Sequence, residues 1–559
     1  MAHFYKITLY LRHRLLNKSE IESGDANTVY AMVMKVLTEN KVPLDKVIGI
    51  CSDGASTMQG VHKGVCIQLA KRIRELRQGV VEDMRLLDHT RSIDSFHANK
   101  GVFVVHCVCH RLALILTDAV KGSTKCDQVI PEDCINLMTQ LYTYFARSPA
   151  RKNAMRSYID LLNRDKQARL RARGRPTANV EVHNPVEELE RVMAVLEEQY
   201  KLPKKIVLTR WLSCADAVRV ILSCRDVYTE FFLNETSEAA SVIVELLEDS
   251  TVMAWFACMQ DVLPVLTGMN ILFQASKPLP HLLYSKITTA KSTLRNMVGR
   301  GPLREDMIPL ASLNADTPFG AFVNKFMRDH TGDVPMTGTG GSISQREALQ
   351  LKKDFYKLYA HCVDQIDTRF PTENMECFKF MQVLDPNVVH GPLRRNKIGS
   401  DDLPVVVDKL VKIFEVPLHA SGCVSPAAVS NAFILFRASD VCSDVWKEYQ
   451  AAKVFDHSDI YAYYRHILLS MPMLDIKPWA MFALFVLVFP TGNAISERGF
   501  SAMGRAKSKQ RSELGSDQVF AHLIIGFNGP SVIDFSTEIN TESRQPNWPL
   551  YIHPNNYNM

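Results

Sequence analysis

The chain has 559 residues, a formal net charge of +5 and 47% hydrophobic residues. That length accommodates two or more domains, and so small a net charge permits a local basic groove without demanding a polyanionic partner. Thirteen cysteines, an odd number scattered along a long chain, read as reduced thiols of an intracellular protein and argue against a disulfide scaffold. The amino-terminal MAHFYKITLYLRHRLL carries charges through its middle and has no small-residue cleavage site, so it does not read as a secretory signal. No run reaches the roughly 20 apolar residues of a membrane helix, and a membrane is not an expected partner.

In chain order, Phe4–Tyr10 alternates as a strand does, with Ile7 and Leu9 against Thr8 and Tyr10. Val29, Met32, Val33, Val36 and Leu37 recur at helical spacing over residues 26–40, and Pro43 closes that helix. Lys46–Cys51 is a short β-branched run that predicts a buried strand, ending in the turn Ser52-Asp53-Gly54. Val65–Leu76 reads as an amphipathic helix, Gly101–Cys107 as a second buried strand, and Arg111–Val120 as the start of another helix. Alternation of strand and helix through residue 120 predicts an α/β sheet. From there to about 480 helical periodicity dominates, for instance in Glu187–Gln199, Ala239–Leu247 and Ala348–Val363. Two breaks are expected: the basic stretch 164–176, ending in Gly-Arg-Pro, and the Gly/Ser/Thr-rich stretch 331–345. The most apolar run, Trp479–Phe489, is too short to span a membrane and suits a buried element closed by Pro490. Asp517–Phe527 shows one apolar stripe, Val519, Leu523 and Phe527, fit for a core or a subunit interface. The polar residues from 531 predict a poorly ordered tail.

Four places have residue types suited to chemistry. Asp53 stands where an open α/β sheet presents its ligands, and its carboxylate suits either Mg²⁺ or the backbone amides of a turn. His106-Cys107-Val108-Cys109-His110 is dense in zinc-ligand types, but no second pair follows at knuckle spacing. Its cysteines therefore read as small apolar residues packed inward, with His110 facing the same end of the sheet as Asp53. Trp211, flanked by Arg210, suits either base stacking or a helix–helix contact. Glu497 follows the apolar run directly, in a segment where Ile495 and Phe500 are spaced to pack inward.

Taken in order, Val47–Gly60 (VIGICSDGASTMQG), His106–Leu114 (HCVCHRLAL), Phe145–Arg151 (FARSPAR), Thr209–Ser213 (TRWLS), Asn493–Ser501 (NAISERGFS), Arg511-Ser512 and Ile525–Pro530 (IGFNGP) resemble the hAT (hobo/Activator/Tam3) superfamily of transposases, in its domesticated, zinc-finger-associated animal type. The likeness runs from about residue 28 to 530. It implies an α/β plus all-α protein: an RNase H-like core, truncated at its amino end and interrupted by a large helical insertion. The implied divisions are 1–120 for the first part of the core, 121–478 for the insertion, 479–530 for a carboxyl-terminal dimerisation region that completes the core, and 531–559 for the tail.

The family holds two divalent metals on an Asp-Asp-Glu triad. Asp53 matches the second Asp and Glu497 the Glu, as ligands for Mg²⁺. His110 matches the position near the scissile phosphate, and Trp211 matches the aromatic that stacks on a flipped base. The first Asp has no match among the 52 residues before Asp53, since Asp25 lies in a Glu-Ser-Gly-Asp loop and Asp45 follows a helix-ending proline. The chain is thus expected to begin inside the domain, short of two strands and one metal ligand.

The function expected from this resemblance is a nuclear, self-associating protein without catalysis, using Ile495, Phe500, Val519, Leu523 and Phe527 to dimerise. One alternative is an active transposase cleaving DNA by Mg²⁺-dependent phosphoryl transfer. The other is a non-catalytic nucleic-acid binder using Arg169, Arg171, Arg173, Arg210 and Trp211.

Overall fold

The computed structural model describes residues 25–39, 41–60, 63–77, 96–97, 102–122, 127–173, 200–204, 211–275, 277–298, 309–314, 316–331, 343–391, 396–451, 457, 459–471 and 474–492. The strand expected at Phe4–Tyr10, the helix expected over Glu187–Gln199 and the tail from 531 lie outside them. The described chain is mostly helical, with few and short strands. It divides into two compact units: Met1–His110, Phe273–Leu283 and Glu373–Met559 form the first, Arg111–Leu272 and Tyr284–Thr372 the second.

The first unit holds the sheet. Helix α1 (Ala26–Glu39) is started by Asp25, whose carboxylate accepts the amides of Asn27 at 2.9 Å and Thr28 at 3.1 Å. Strand β1 (Gly49–Ser52), helix α2 (Val65–Leu76) and strand β3 (Val102–His106) make a parallel crossover, and the two-residue β2 (Phe96–His97) pairs antiparallel with β3. All of β3 but its last residue is buried, because both faces are covered. Val102 and Val104 join one cluster with Val33 and Leu37 of α1 and Leu69 and Ile73 of α2. On the opposite side Phe103 meets Phe414 and Phe489 at centroid distances of 5.0 and 5.2 Å. Arg77, just past α2 and 1% exposed, donates to the carbonyls of Asp45 at 2.6 Å and Val47 at 3.0 Å, which fixes the chain entering β1. Burial lowers its guanidinium to about 10, against the opposing charge of Asp45.

Helix α3 (Val108–Lys121) follows β3 directly, starting three residues earlier than its periodicity implies, and carries the chain into the second unit. There α4 (Glu132–Ala146), α5 (Pro149–Arg173), α6 (Trp211–Leu233), α7 (Glu238–Glu248), α8 (Ser250–Phe273), α9 (Pro280–Met297), α10 (Ala321–His330) and α11 (Gln345–Arg369) follow. The break expected over 164–176 is helical as far as Arg173, because its Gln, Ala, Arg and Leu residues are strong helix formers whatever their charge. By length and composition α8 is apolar enough to cross a membrane, which the interruption at Gln260-Asp261 conceals in the sequence. Most of α8 is buried within the protein, as a core helix is, so one such helix is weak evidence either way. Asp261, 6% exposed, accepts the amides of Phe322 at 3.0 Å and Val323 at 2.9 Å and so caps α10. Gly320 is required beside it, since a Cβ there would lie 2.2 Å from the Asp261 carboxyl carbon.

The chain re-enters the first unit at Glu373, in α12 (Thr372–Met381). Residues 373–478, assigned by their periodicity to the insertion, thus cluster with the sheet. A small hairpin, β4 (Lys397–Ile398) and β5 (Asp401–Asp402), precedes α13 (Leu403–Ile413), α14 (Glu415–Ser421), α15 (Pro426–Ala438), α16 (Asp440–Ala451), α17 (Asp459–Ser470) and α18 (Lys477–Leu487). Their core is aromatic. Phe433 lies 4.7 Å from Trp479, and Trp446 lies 5.1 Å from Tyr463. The polar ends of these rings are satisfied: Tyr463 donates to the Cys442 carbonyl at 3.0 Å, Tyr464 to that of Leu384 at 2.8 Å, and the Trp446 indole to Asn387 at 3.0 Å. The apolar run from Trp479 is helix α18, with Trp479, Phe482, Ala483, Val486 and Leu487 buried.

Candidate functional site

Parallel pairing brings the carboxyl ends of β1 and β3 together, with Ser52 opposite His106. Beyond them the chain turns through Asp53-Gly54 on one side and enters α3 through Cys107 on the other, where the Cys107 amide donates to the Ser52 carbonyl at 2.8 Å. Gln59 ties the two ends: its amide nitrogen donates to Ser52 Oγ at 3.0 Å and to the Val105 carbonyl at 3.2 Å. Buried Ser52 also accepts from the Cys66 thiol at 3.3 Å and donates to the Asp53 carbonyl at 3.0 Å. The turn is therefore held from below by a polar network built on one serine.

Asp53 is half-buried, and its Oδ1 accepts the Ala55 amide at 3.3 Å. One carboxylate oxygen thus closes a turn of the Asx type. Its charge is felt at Cys66, whose thiol is raised first by burial and further by Asp53, while the Ser52 hydrogen bond opposes the shift. His106 and His110, one helical turn apart, place their rings 5.4 Å apart at 36°. The His106 ring lies over Gly54, where an added Cβ would come within 2.5 Å of its Cε1. Asp53, Gly54, His106 and His110 therefore form one patch at the carboxyl ends of the strands.

The cysteines between the histidines point away from it. Cys107 and Cys109 are buried, at 0% and 5% exposure, as small apolar side chains. The Cys51 thiol is held well above its usual range by hydrogen bonding to the Cys107 side chain and then by burial. Among the described residues, no group of three His, Cys, Asp or Glu side chains converges to hold a metal ion. Asp25 caps α1, and Asp45 sits in a 3₁₀ turn at the amino end of β1. Neither joins Asp53 at the carboxyl end.

A segment distant in sequence returns to this place. After α18 the chain passes Gly49, whose added Cβ would meet the Pro490 ring at 2.9 Å. The buried Thr491 then accepts the first amide of α3, Val108 N–H, at 3.0 Å. Gly492 follows, close to the Cys107 sulfur.

Of the expected site residues, Asp53 and His110 belong to this patch. Glu497, Ile495, Phe500, Val519, Leu523, Phe527 and Arg210 lie outside the described residues. Trp211 opens α6, and Arg169, Arg171 and Arg173 occupy the last turns of α5 in the second unit, but their side chains too lie outside the described set. His106, Ser52 and Gln59 are site-building residues that sequence reasoning did not single out. His106 carries a signal, as the polar last residue of a buried strand; Gln59 carries none. No protein-family model matches the chain, and no curated protein matches it.

Proposed function

We propose that this chain is a transposon-derived protein of hAT type, with an RNase H-like core split by helices, which acts by self-association through its carboxyl-terminal region and not by cutting DNA. The observation that carries the reading is the return of Pro490–Gly492 to the carboxyl ends of β1 and β3. Glu497 follows a few residues later, so chain connectivity alone keeps its Cα within about 18 Å of Gly492. That makes a pairing of Asp53 with Glu497 sterically accessible across a very long sequence separation, as a split core requires.

The same residues weigh against cleavage. In-line phosphoryl displacement on two metal ions needs carboxylates enough to hold both. Asp25 and Asp45, the other acidic candidates near the start of the fold, are engaged elsewhere, and one oxygen of Asp53 is already committed to the Ala55 amide. Incubation of the full chain with supercoiled DNA and Mg²⁺ or Mn²⁺ tests this directly. The expected outcome is no nicking above that of Glu497→Gln, and metal-dependent nicking lost in Glu497→Gln would establish the active enzyme instead.

Nucleic-acid binding without cleavage is a second reading, favoured by α5. This helix of 25 residues exposes Arg151, Lys152, Arg156 and Arg164 and buries Met155 and Ile159. Arg151 also stacks over Tyr144 at 4.2 Å. On this reading the chain is nuclear and contacts DNA phosphates, and affinity falls steeply with salt. A flat salt response would remove it.

A further inference from the structure

Among the described strands β1 is outermost, in the order β1-β3-β2. Phe103 N–H donates to the Ile48 carbonyl at 3.1 Å and Cys107 N–H to that of Ser52 at 2.8 Å. Bonding residues alternate along a parallel strand. Ile48, Ile50 and Ser52 therefore turn their backbone groups toward β3, and Gly49 and Cys51 turn theirs outward. No described residue hydrogen-bonds to those outward groups. Yet β1 is covered on both faces, by the cluster of α1 and α2 around Ile50 and by Pro490 against Gly49. A strand packed on both faces with a bare edge is an incomplete sheet, ready to pair with a further strand.

The handedness of the crossovers says where that strand comes from. The chain passes from β1 to β3 through α2. Helix α1, which leads into β1, lies on the same face as α2: Val33 and Leu37 share one cluster with Leu69, Ile73, Val102 and Val104. Parallel crossovers are right-handed, so two successive ones on one face step across the sheet in a single direction. A parallel strand feeding α1 therefore belongs on the outer side of β1. Helix α1 also begins near the carboxyl end of β1, since Asn27 accepts from Gln68, in the first turns of α2, at 3.1 Å. A strand ending at that end connects to α1 without crossing the sheet. Upstream of α1 the sequence offers Phe4–Tyr10, with Ile7 and Leu9 in strand alternation.

We propose that Phe4–Tyr10 docks parallel along the outer edge of β1, with the outward amides and carbonyls of Gly49 and Cys51 as its partners. The docked strand ends at the same end of the sheet as Asp53, so it completes a wall of the candidate site.

Hydrogen exchange of the full chain, resolved to single amides across residues 48–53, tests this. The amides of Ile50 and Ser52 face β3 and report whether the sheet is folded; those of Gly49 and Cys51 report the outer edge. All four are expected to exchange slowly. In the double variant Ile7→Pro, Leu9→Pro, Gly49 and Cys51 are expected to exchange at least tenfold faster while Ile50 and Ser52 stay slow. Fast exchange at Gly49 and Cys51 in the unaltered chain, or protection indifferent to the prolines, overturns the proposal. Protection that appears only at high protein concentration also overturns it, in favour of a strand from a second copy. Should the double variant fail to fold, amine cross-linking of the unaltered chain at high dilution decides. A link between Lys6 and the exposed Lys46 is expected, and its absence overturns the proposal.

Discussion

At Gly54 a hydrogen atom stands where any other residue would place a carbon against the His106 ring. Substitution Gly54→Ala should push that imidazole off the Asp53 turn and cost about 1–2 kcal/mol, the range of modest overpacking. Urea unfolding reads the energy, and the ring resonances of His106 read the displacement. A second residue-scale effect belongs to His281, which opens α9 with 3% of its surface exposed. Burial, helped by the nearby His457, lowers its imidazole to about 3. The unfolded chain takes up that proton near pH 6.5. The stabilisation from a neutral His281 is therefore complete above about pH 6.5 and is lost as pH falls toward 3, at about 1.4 kcal/mol per pH unit. Relative to the unaltered protein, His281→Phe should lose about that much slope between roughly pH 6 and 4. Equal slopes for the two would show that His281 is protonated in the fold.

At the scale of elements, the clearest dependence is that of α10 on Asp261. This carboxyl is raised by burial even though two amides of α10 oppose the shift, so its hydrogen bonds are made inside the core of the second unit. Asp261→Ala should destabilise by about 1–2 kcal/mol, as loss of an N-cap does, and hydrogen exchange should quicken first at Phe322 and Val323. An unchanged exchange pattern would mean that the cap is dispensable.

Elements with a strong period were legible in advance. α2 begins and ends where its apolar spacing says, because Val65, Cys66, Leu69, Ala70 and Ile73 all face one cluster. β3 showed as a continuous apolar run because it is buried on both faces. The final turns of α5 were misread because charge and a following Gly-Arg-Pro resemble a linker, whereas helix propensity is indifferent to which charge is carried. β2 is too short to leave a pattern. The site was half legible: Ser52-Asp53-Gly54 announces a turn at a strand end. The stacking of His106 on Gly54, and the bridge of Gln59 to Val105, depend on strand register, which local sequence does not state.

For the whole molecule, the sheet unit is assembled from chain segments far apart in sequence, with Phe489, Pro490 and Thr491 sealing the underside and end of β1 and β3. This arrangement ties the carboxyl-terminal region to the same sheet that positions Asp53. It also leaves the apolar stripe Val519, Leu523 and Phe527 as the part of the chain best suited to bind a second copy. Light scattering of the full chain at micromolar concentration, beside the double variant Leu523→Asp, Phe527→Asp, tests the central claim most directly. The account predicts the mass of two or more chains for the unaltered protein and of one chain for the variant, with the circular dichroism of both alike. A single-chain mass for the unaltered protein would contradict it.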